Sequence, residues 1–110
     1  EGYMDRLKLQ QFGVDNSVAL LGWKASHHQI ESILQYTDCV VSALDNTATG
    51  VKGTKFLRQY FNVVRFCFQD NTKDIGELDK YVFNRCWTKT IHKLNSKYDE
   101  GLTRKFWSNS

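Results

Sequence analysis

The 110 residues predict an α/β fold in which helices flank a parallel β-sheet. Three observations carry that prediction. The apolar run at 39–44 is continuous rather than alternating, as strands are when helices cover both faces of their sheet, and a second strand-like run stands at 63–68. Stretches with helical apolar spacing separate those runs. The connections are short, which is the pattern of strand, helix and strand in alternation.

Composition bounds the reading. A chain of 12.8 kDa fits one domain, and 41% hydrophobic with 14% aromatic residues is enough to bury a core. Fifteen Lys and Arg against twelve Asp and Glu give a net charge of +3, which permits phosphate-bearing partners without demanding them. Cys39, Cys67 and Cys86 are isolated and form no C-x-x-C pair, so they read as buried, reduced thiols rather than as a zinc cluster or disulfide framework. No apolar run approaches the roughly 18 residues of a membrane-spanning helix. A cytoplasmic protein with no membrane partner is expected. The chain has no proline and no low-complexity linker.

The elements follow in order. Residues 4–12 form a short helix with apolar Met4, Leu7 and Phe12, and Gly13 stands where a left-handed cap would end it. The apolar run 17–21, closed by Gly22, reads as a brief buried strand. Ser26-His27-His28-Gln29 is a capping box, and Ile30, Ile33 and Leu34 mark the buried face of the second helix, expected to end near Tyr36. The strand at 39–44 stops at Asp45. A third helix is expected over 51–60, burying Phe56, Leu57 and Tyr60, before the strand at 63–68. The loop Asn71-Thr72-Lys73-Asp74 then leads into a long final helix from 75–77 onward. Leu78, Tyr81, Val82, Cys86, Ile91 and Leu94 form its apolar stripe. The tail 96–110 is polar apart from Leu102, Phe106 and Trp107. Residues 1–78 are expected to make the core domain, with 79–110 packed on it.

In a parallel sheet of this kind, ligands sit at the carboxyl ends of the strands. Glu1 would end one strand, Gly22 a second and Asp45 a third, with the Lys73-Asp74 loop beyond the last. Carboxylates on strand ends suit a Mg²⁺-dependent phosphoryl-transfer site, which needs hard oxygen ligands on rigid supports.

Several of these segments resemble one family. Glu1-Gly2-Tyr3-Met4-Asp5 is similar to the first motif of the Toprim domain, shared by bacterial-type DNA primases, topoisomerases and some nucleases. Val18-Ala19-Leu20-Leu21-Gly22 resembles the glycine-ended strand of the primase branch, and Ser26 with Gln29 the helix start behind it. Leu44-Asp45-Asn46-Thr47-Ala48-Thr49-Gly50 falls where the family has Asp-x-Asp and a trailing glycine. Lys73-Asp74-Ile75-Gly76-Glu77 resembles the Lys-Asp-Pro-Asp-Glu loop of primases, in a form associated with phage-type relatives.

The resemblance implies metal-assisted nucleotidyl transfer that makes RNA primers on single-stranded DNA from nucleoside triphosphates, with a replicative helicase as a further partner. It makes Glu1 and Asp45 the catalytic acids, and Glu1, Asp45 and Asp74 the ligands of Mg²⁺ or Mn²⁺. Asp5, Thr47, Gly22 and Gly50 become supporting residues, and Lys52 and Lys73 phosphate contacts. Thr47 stands where the family has its second aspartate, and Gly76 replaces another acid, so the cation is expected to bind weakly. With Glu1 as the first residue, the strand that would deliver it is missing. The chain is therefore expected to be part of a longer primase-like protein, inactive alone, with a gap in its sheet. The alternative is a degenerate Toprim domain that binds nucleic acid or a replication partner without catalysis; a Toprim nuclease is the weaker third reading.

Other residues carry less. His27, His28 and His92 have no third ligand at metal spacing, and Trp23 reads as packing rather than as a base platform. Arg85, Lys89 and Lys93 form a basic stripe on the final helix, which is ordinarily a solvated face.

Overall fold

A computed structural model describes residues 1–97 of the chain. The elements are α1 (Tyr3–Gln11), α2 (His27–Leu34), β1 (Cys39–Ser42), α3 (Ala48–Leu57), β2 (Asn62–Arg65), a single 3-10 turn (Ile75–Glu77) and α4 (Lys80–Lys97). β1 and β2 pair in parallel, from Cys39 opposite Asn62 to Ser42 opposite Arg65. Parallel neighbours need a crossover, and α3 supplies it. A small parallel sheet with flanking helices is the α/β architecture expected from the apolar runs.

The core explains those runs. Val63 and Val64 are each 1% exposed, yet they belong to different apolar clusters because successive strand residues face opposite sides. Val63 packs with Ala25, Ile30, Leu44, Leu57 and Phe61. A third cluster joins Val14, Phe66, Ile75, Leu78, Phe83 and Cys86. Phe83 is its hub. Its ring stacks on Phe12 at 4.5 Å, and on Phe66 and Trp87 at 5.7 Å each, so one side chain ties α1, the end of β2 and α4 together. The three cysteines are free thiols, and burial pushes Cys39 above the usual thiol range.

Local signals were obeyed where they involve a few neighbouring residues. The Ser26 hydroxyl accepts from the Gln29 amide at 3.1 Å while the Gln29 side chain accepts from the Ser26 amide at 2.8 Å. Gly13 has φ +93° just past α1, the left-handed conformation that glycine adopts without strain. α3 begins three residues earlier than expected, because the Thr47 hydroxyl caps it by accepting from the Gly50 amide at 3.2 Å.

Several expectations fail. The run 17–21 is not a strand, and Leu21 at its end takes the left-handed φ of +63°. Paired strands lie about 4.8 Å apart, whereas a cavity of about 1010 Å³, lined by Val18, Leu20, Val40, Val41 and Ala43, separates this run from β1. Two bonds tie it to the N-terminal segment: the Leu21 amide donates to the Glu1 carbonyl at 2.9 Å, and Arg6 Nε donates to the Ser17 carbonyl at 2.9 Å. The final helix is also divided. Asp74 caps the 3-10 turn, the chain becomes extended at Leu78, and α4 starts afresh with the Asp79 carboxylate accepting from the Val82 amide at 2.8 Å. Met4, Leu34, Tyr60 and Tyr81, all expected inside, are exposed. Leu102, Phe106 and Trp107 lie outside the described residues.

Candidate metal centre

β1 and β2 run the same way, so the segments that leave their carboxyl ends share one edge of the sheet. Asp45 follows β1 there, and three contacts fix its loop. A Cβ on Gly50 would fall onto the Asp45 carbonyl oxygen, so only glycine allows α3 to start this close to the strand end. The Arg65 guanidinium, at the end of β2, donates to the Asp45 carbonyl at 2.7 Å and to the Thr54 hydroxyl at 2.6 Å, and reaches the Gly50 carbonyl at 3.3 Å. Asn46 binds the neighbouring loop, its amide donating to the Lys73 carbonyl at 2.6 Å and its side chain to the Thr72 carbonyl at 2.8 Å.

The Lys73-Asp74 loop is closed on itself. Asp74 Oδ1 accepts from the Glu77 amide at 3.1 Å, and Glu77 Oε2 accepts from the Lys73 amide at 3.2 Å. The Asp74 cap and the Glu77 bond to the amide before it together close the turn.

Glu1 arrives from the other side. Its carboxyl group hydrogen-bonds to the Asp45 carboxylate. That bond, helped by burial and by the negative charge of Asp45, raises the Glu1 carboxyl above its ordinary value; the terminal ammonium opposes the shift and Asp5 adds slightly to it. Asp5 Oδ2 accepts from the Gly2 amide at 3.3 Å, beside the Glu1 amino nitrogen at 3.4 Å. Asp5 and Asp74 meet across Gly76: a Cβ there would lie 3.2 Å from Asp74 Oδ1 and 3.7 Å from Asp5 Oδ1.

The structure thus brings Glu1 and Asp45 into contact, with Asp5 and Asp74 flanking Gly76 beside them. Among the described residues, no group of three or more His, Cys, Asp or Glu is arranged to hold a metal ion. The chemistry of the pair nevertheless fits a hard cation. Two ionised carboxylates in contact repel, a cation between them relieves that repulsion, and Mg²⁺ is often held by one or two carboxylates completed by water and substrate phosphates.

The remaining expected residues are placed as follows. The Thr47 hydroxyl is engaged as a helix cap. Gly22 has open space around its Cα. Lys73 is exposed, and so is Lys52, whose ammonium lies 4.7 Å from the centre of the Trp23 ring. Arg65 and Asn46 were not singled out from sequence. Arg65 had a signal: a charged residue inside the apolar run Val63-Val64-Arg65-Phe66 must find acceptors when that strand is buried. Burial holds its pKa below the usual arginine range, while the charge of Asp45 counteracts the shift.

The chain is similar to the DNA primase of Haemophilus influenzae, with 48% identity over 50 residues that cover 46% of this chain and 8% of that protein. It is also similar to the DNA primase of Clostridium acetobutylicum, with 26% identity over 110 residues that cover 96% of this chain and 18% of that protein. The chain therefore spans less than a fifth of the length of these curated relatives. No solved structure matches it. Residues 1–79 match the Toprim_2 family, described as Toprim-like, and with most of its length inside that match the chain belongs to the Toprim-like family.

Proposed function

We propose that this chain is the Toprim part of a DNA primase-like protein, and that Glu1 and Asp45 hold the divalent cation used in RNA primer synthesis on single-stranded DNA. The observation that carries the proposal is the hydrogen-bonded Glu1–Asp45 carboxyl pair at the carboxyl edge of a parallel sheet. Toprim domains are generally metal-binding, and both named relatives are DNA primases. When bound, Mg²⁺ or Mn²⁺ supplies neutralisation of phosphate charge as the attacking hydroxyl oxygen displaces pyrophosphate. The chain's own groups do the positioning. Arg65 holds the Asp45 backbone, and Asn46 holds the Lys73-Asp74 loop against it. Without a cation, the bond to Asp45 raises the Glu1 carboxyl above its ordinary value. Asp74 and Asp5 add negative potential beside the pair, and exposed Lys73 and Lys52 offer charge to the phosphates of a nucleoside triphosphate. A replicative helicase is a further partner on this reading.

Calorimetric titration with Mn²⁺ tests it. Weak binding that falls at least about tenfold, or about 1.4 kcal/mol, in both Glu1→Gln and Asp45→Asn is expected. Binding that survives both substitutions contradicts the assignment.

A second reading has its own support. The Thr47 hydroxyl is used as a cap, an Asp74 oxygen is used in its turn, and no three-carboxylate cluster exists among the described residues. These favour a degenerate Toprim domain that binds nucleic acid or a replication protein without catalysis. Loss of metal binding together with retained nucleic-acid binding would select it.

A further inference from the structure

Positive charge in this chain is concentrated on one helix. α4 carries Lys80, Arg85, Lys89, Lys93 and Lys97 and no carboxylate. Those five charges exceed the chain's net +3, so the remaining residues sum to −2. Like charges four residues apart on a helix repel, and α4 contains no acid to relieve them.

The helix cannot rotate them away. Phe83, Cys86, Thr90 and Leu94 are buried, and the Thr90 hydroxyl accepts from the Cys67 amide at 2.9 Å, which pins α4 to the segment following β2. Arg85, Lys89 and Lys93 are consequently held on the exposed side, one turn apart, or about 6 Å along the axis. One turn before them stands Tyr81, 70% exposed, with the Arg85 guanidinium 5.7 Å from its ring centre. Beside the stripe is a cavity of about 230 Å³ lined by Cys67, Phe68, Gln69, Asp70, Arg85 and Lys89. Asp70 is the one carboxylate lining it, against two cations. The segment that forms its wall leaves the same edge of the sheet as Asp45.

We infer that Tyr81, Arg85, Lys89 and Lys93 form a track for single-stranded DNA, with phosphates against the three cations and a base on the Tyr81 ring. Charge complementarity selects a polyanion, and the exposed aromatic at the head of the row selects one with bases. An acidic protein is disfavoured, because the exposed face of α4 carries no aliphatic side chain to make the apolar centre of a protein interface. The choice of DNA rests on the primase reading above; the location rests on the helix alone.

The test is fluorescence anisotropy with a short labelled oligo-dT on the whole chain, titrated between about 50 and 200 mM salt. Three phosphate contacts predict a log–log salt slope of about −2. The triple substitution R85Q/K89Q/K93Q should bring that slope close to zero and weaken binding at least about tenfold. Tyr81→Ala should weaken it at least about fivefold with the slope unchanged. Lys55→Gln, an exposed cation on α3 outside the track, should bind DNA as the wild type does, and the titration is read without added metal, so loss of the metal reading and loss of the track are separate results. Circular dichroism of the triple variant excludes unfolding as the cause of a loss. Absence of binding, binding indifferent to the triple substitution, or polyglutamate binding as tightly as oligo-dT overturns the inference, the last in favour of an acidic protein partner.

Discussion

At the scale of single residues, the Glu1 carboxyl group is the most perturbed acid near the sheet edge, and the cause is its bond to Asp45. The folded state therefore keeps a proton on Glu1 at pH values where the unfolded chain, with the ordinary value of 4.5, has lost it. Between those two midpoints the folded state binds more protons, so the stability of the metal-free protein falls as pH rises through that window and levels off above it. Urea unfolding across this range should show that decline. Asp45→Asn should flatten it and lower the Glu1 midpoint in a carboxyl ¹³C titration; an unmoved midpoint would contradict the pairing. Arg65 acts on the same site through the backbone. Replacing it with Met leaves the Asp45 carbonyl without its charged donor and should cost about 2 kcal/mol in urea unfolding. Lys should restore only part, since an ammonium cannot reproduce the fork that reaches Thr54 and Asp45 together. Asp45 was legible in sequence because it ends an apolar run, and Glu1 and Asp74 because their segments resemble family motifs. Arg65 was less so, because its partners are carbonyls, and every residue has one.

At the scale of elements, caps and close approaches decide the boundaries. Gly50→Ala forces α3 away from the Asp45 carbonyl and should destabilise the protein by about 3 kcal/mol, seen as a lower urea midpoint with weaker Mn²⁺ binding. Asp79→Ala removes the start of α4 and should cost about 1 kcal/mol. The capping box at Ser26 and the left-handed Gly13 were legible because each depends on residues within one turn. The break at Leu78 was not. Apolar positions continue at helical spacing across it, and only the Asp79 bond to Val82 shows that the helix restarts. The run 17–21 failed for a different reason: a strand is a property of a pair, and this segment's hydrophobicity lines a cavity instead of meeting a partner's backbone.

At the scale of the whole molecule, two regions of opposite charge occupy different parts of the fold. Glu1, Asp5, Asp45 and Asp74 gather around the carboxyl edge of the sheet, while α4 presents its cations on its outer face. The fold class was legible because Val63 and Val64 must both be buried, which only a sheet covered on two sides allows. The extent of the sheet was not, since pairing is confined to β1 and β2 among the described residues. No helix among those residues is long and apolar enough to cross a membrane. The central claim is that the two contacting carboxyl groups form the cation site, and paramagnetic broadening of the amide NMR spectrum by Mn²⁺ tests it most directly. The account predicts broadening centred on Gly2, Asp45 and Asn46, weaker near Asp74, and abolished in Asp45→Asn. Broadening centred on any other part of the chain, or unchanged in that variant, would contradict it.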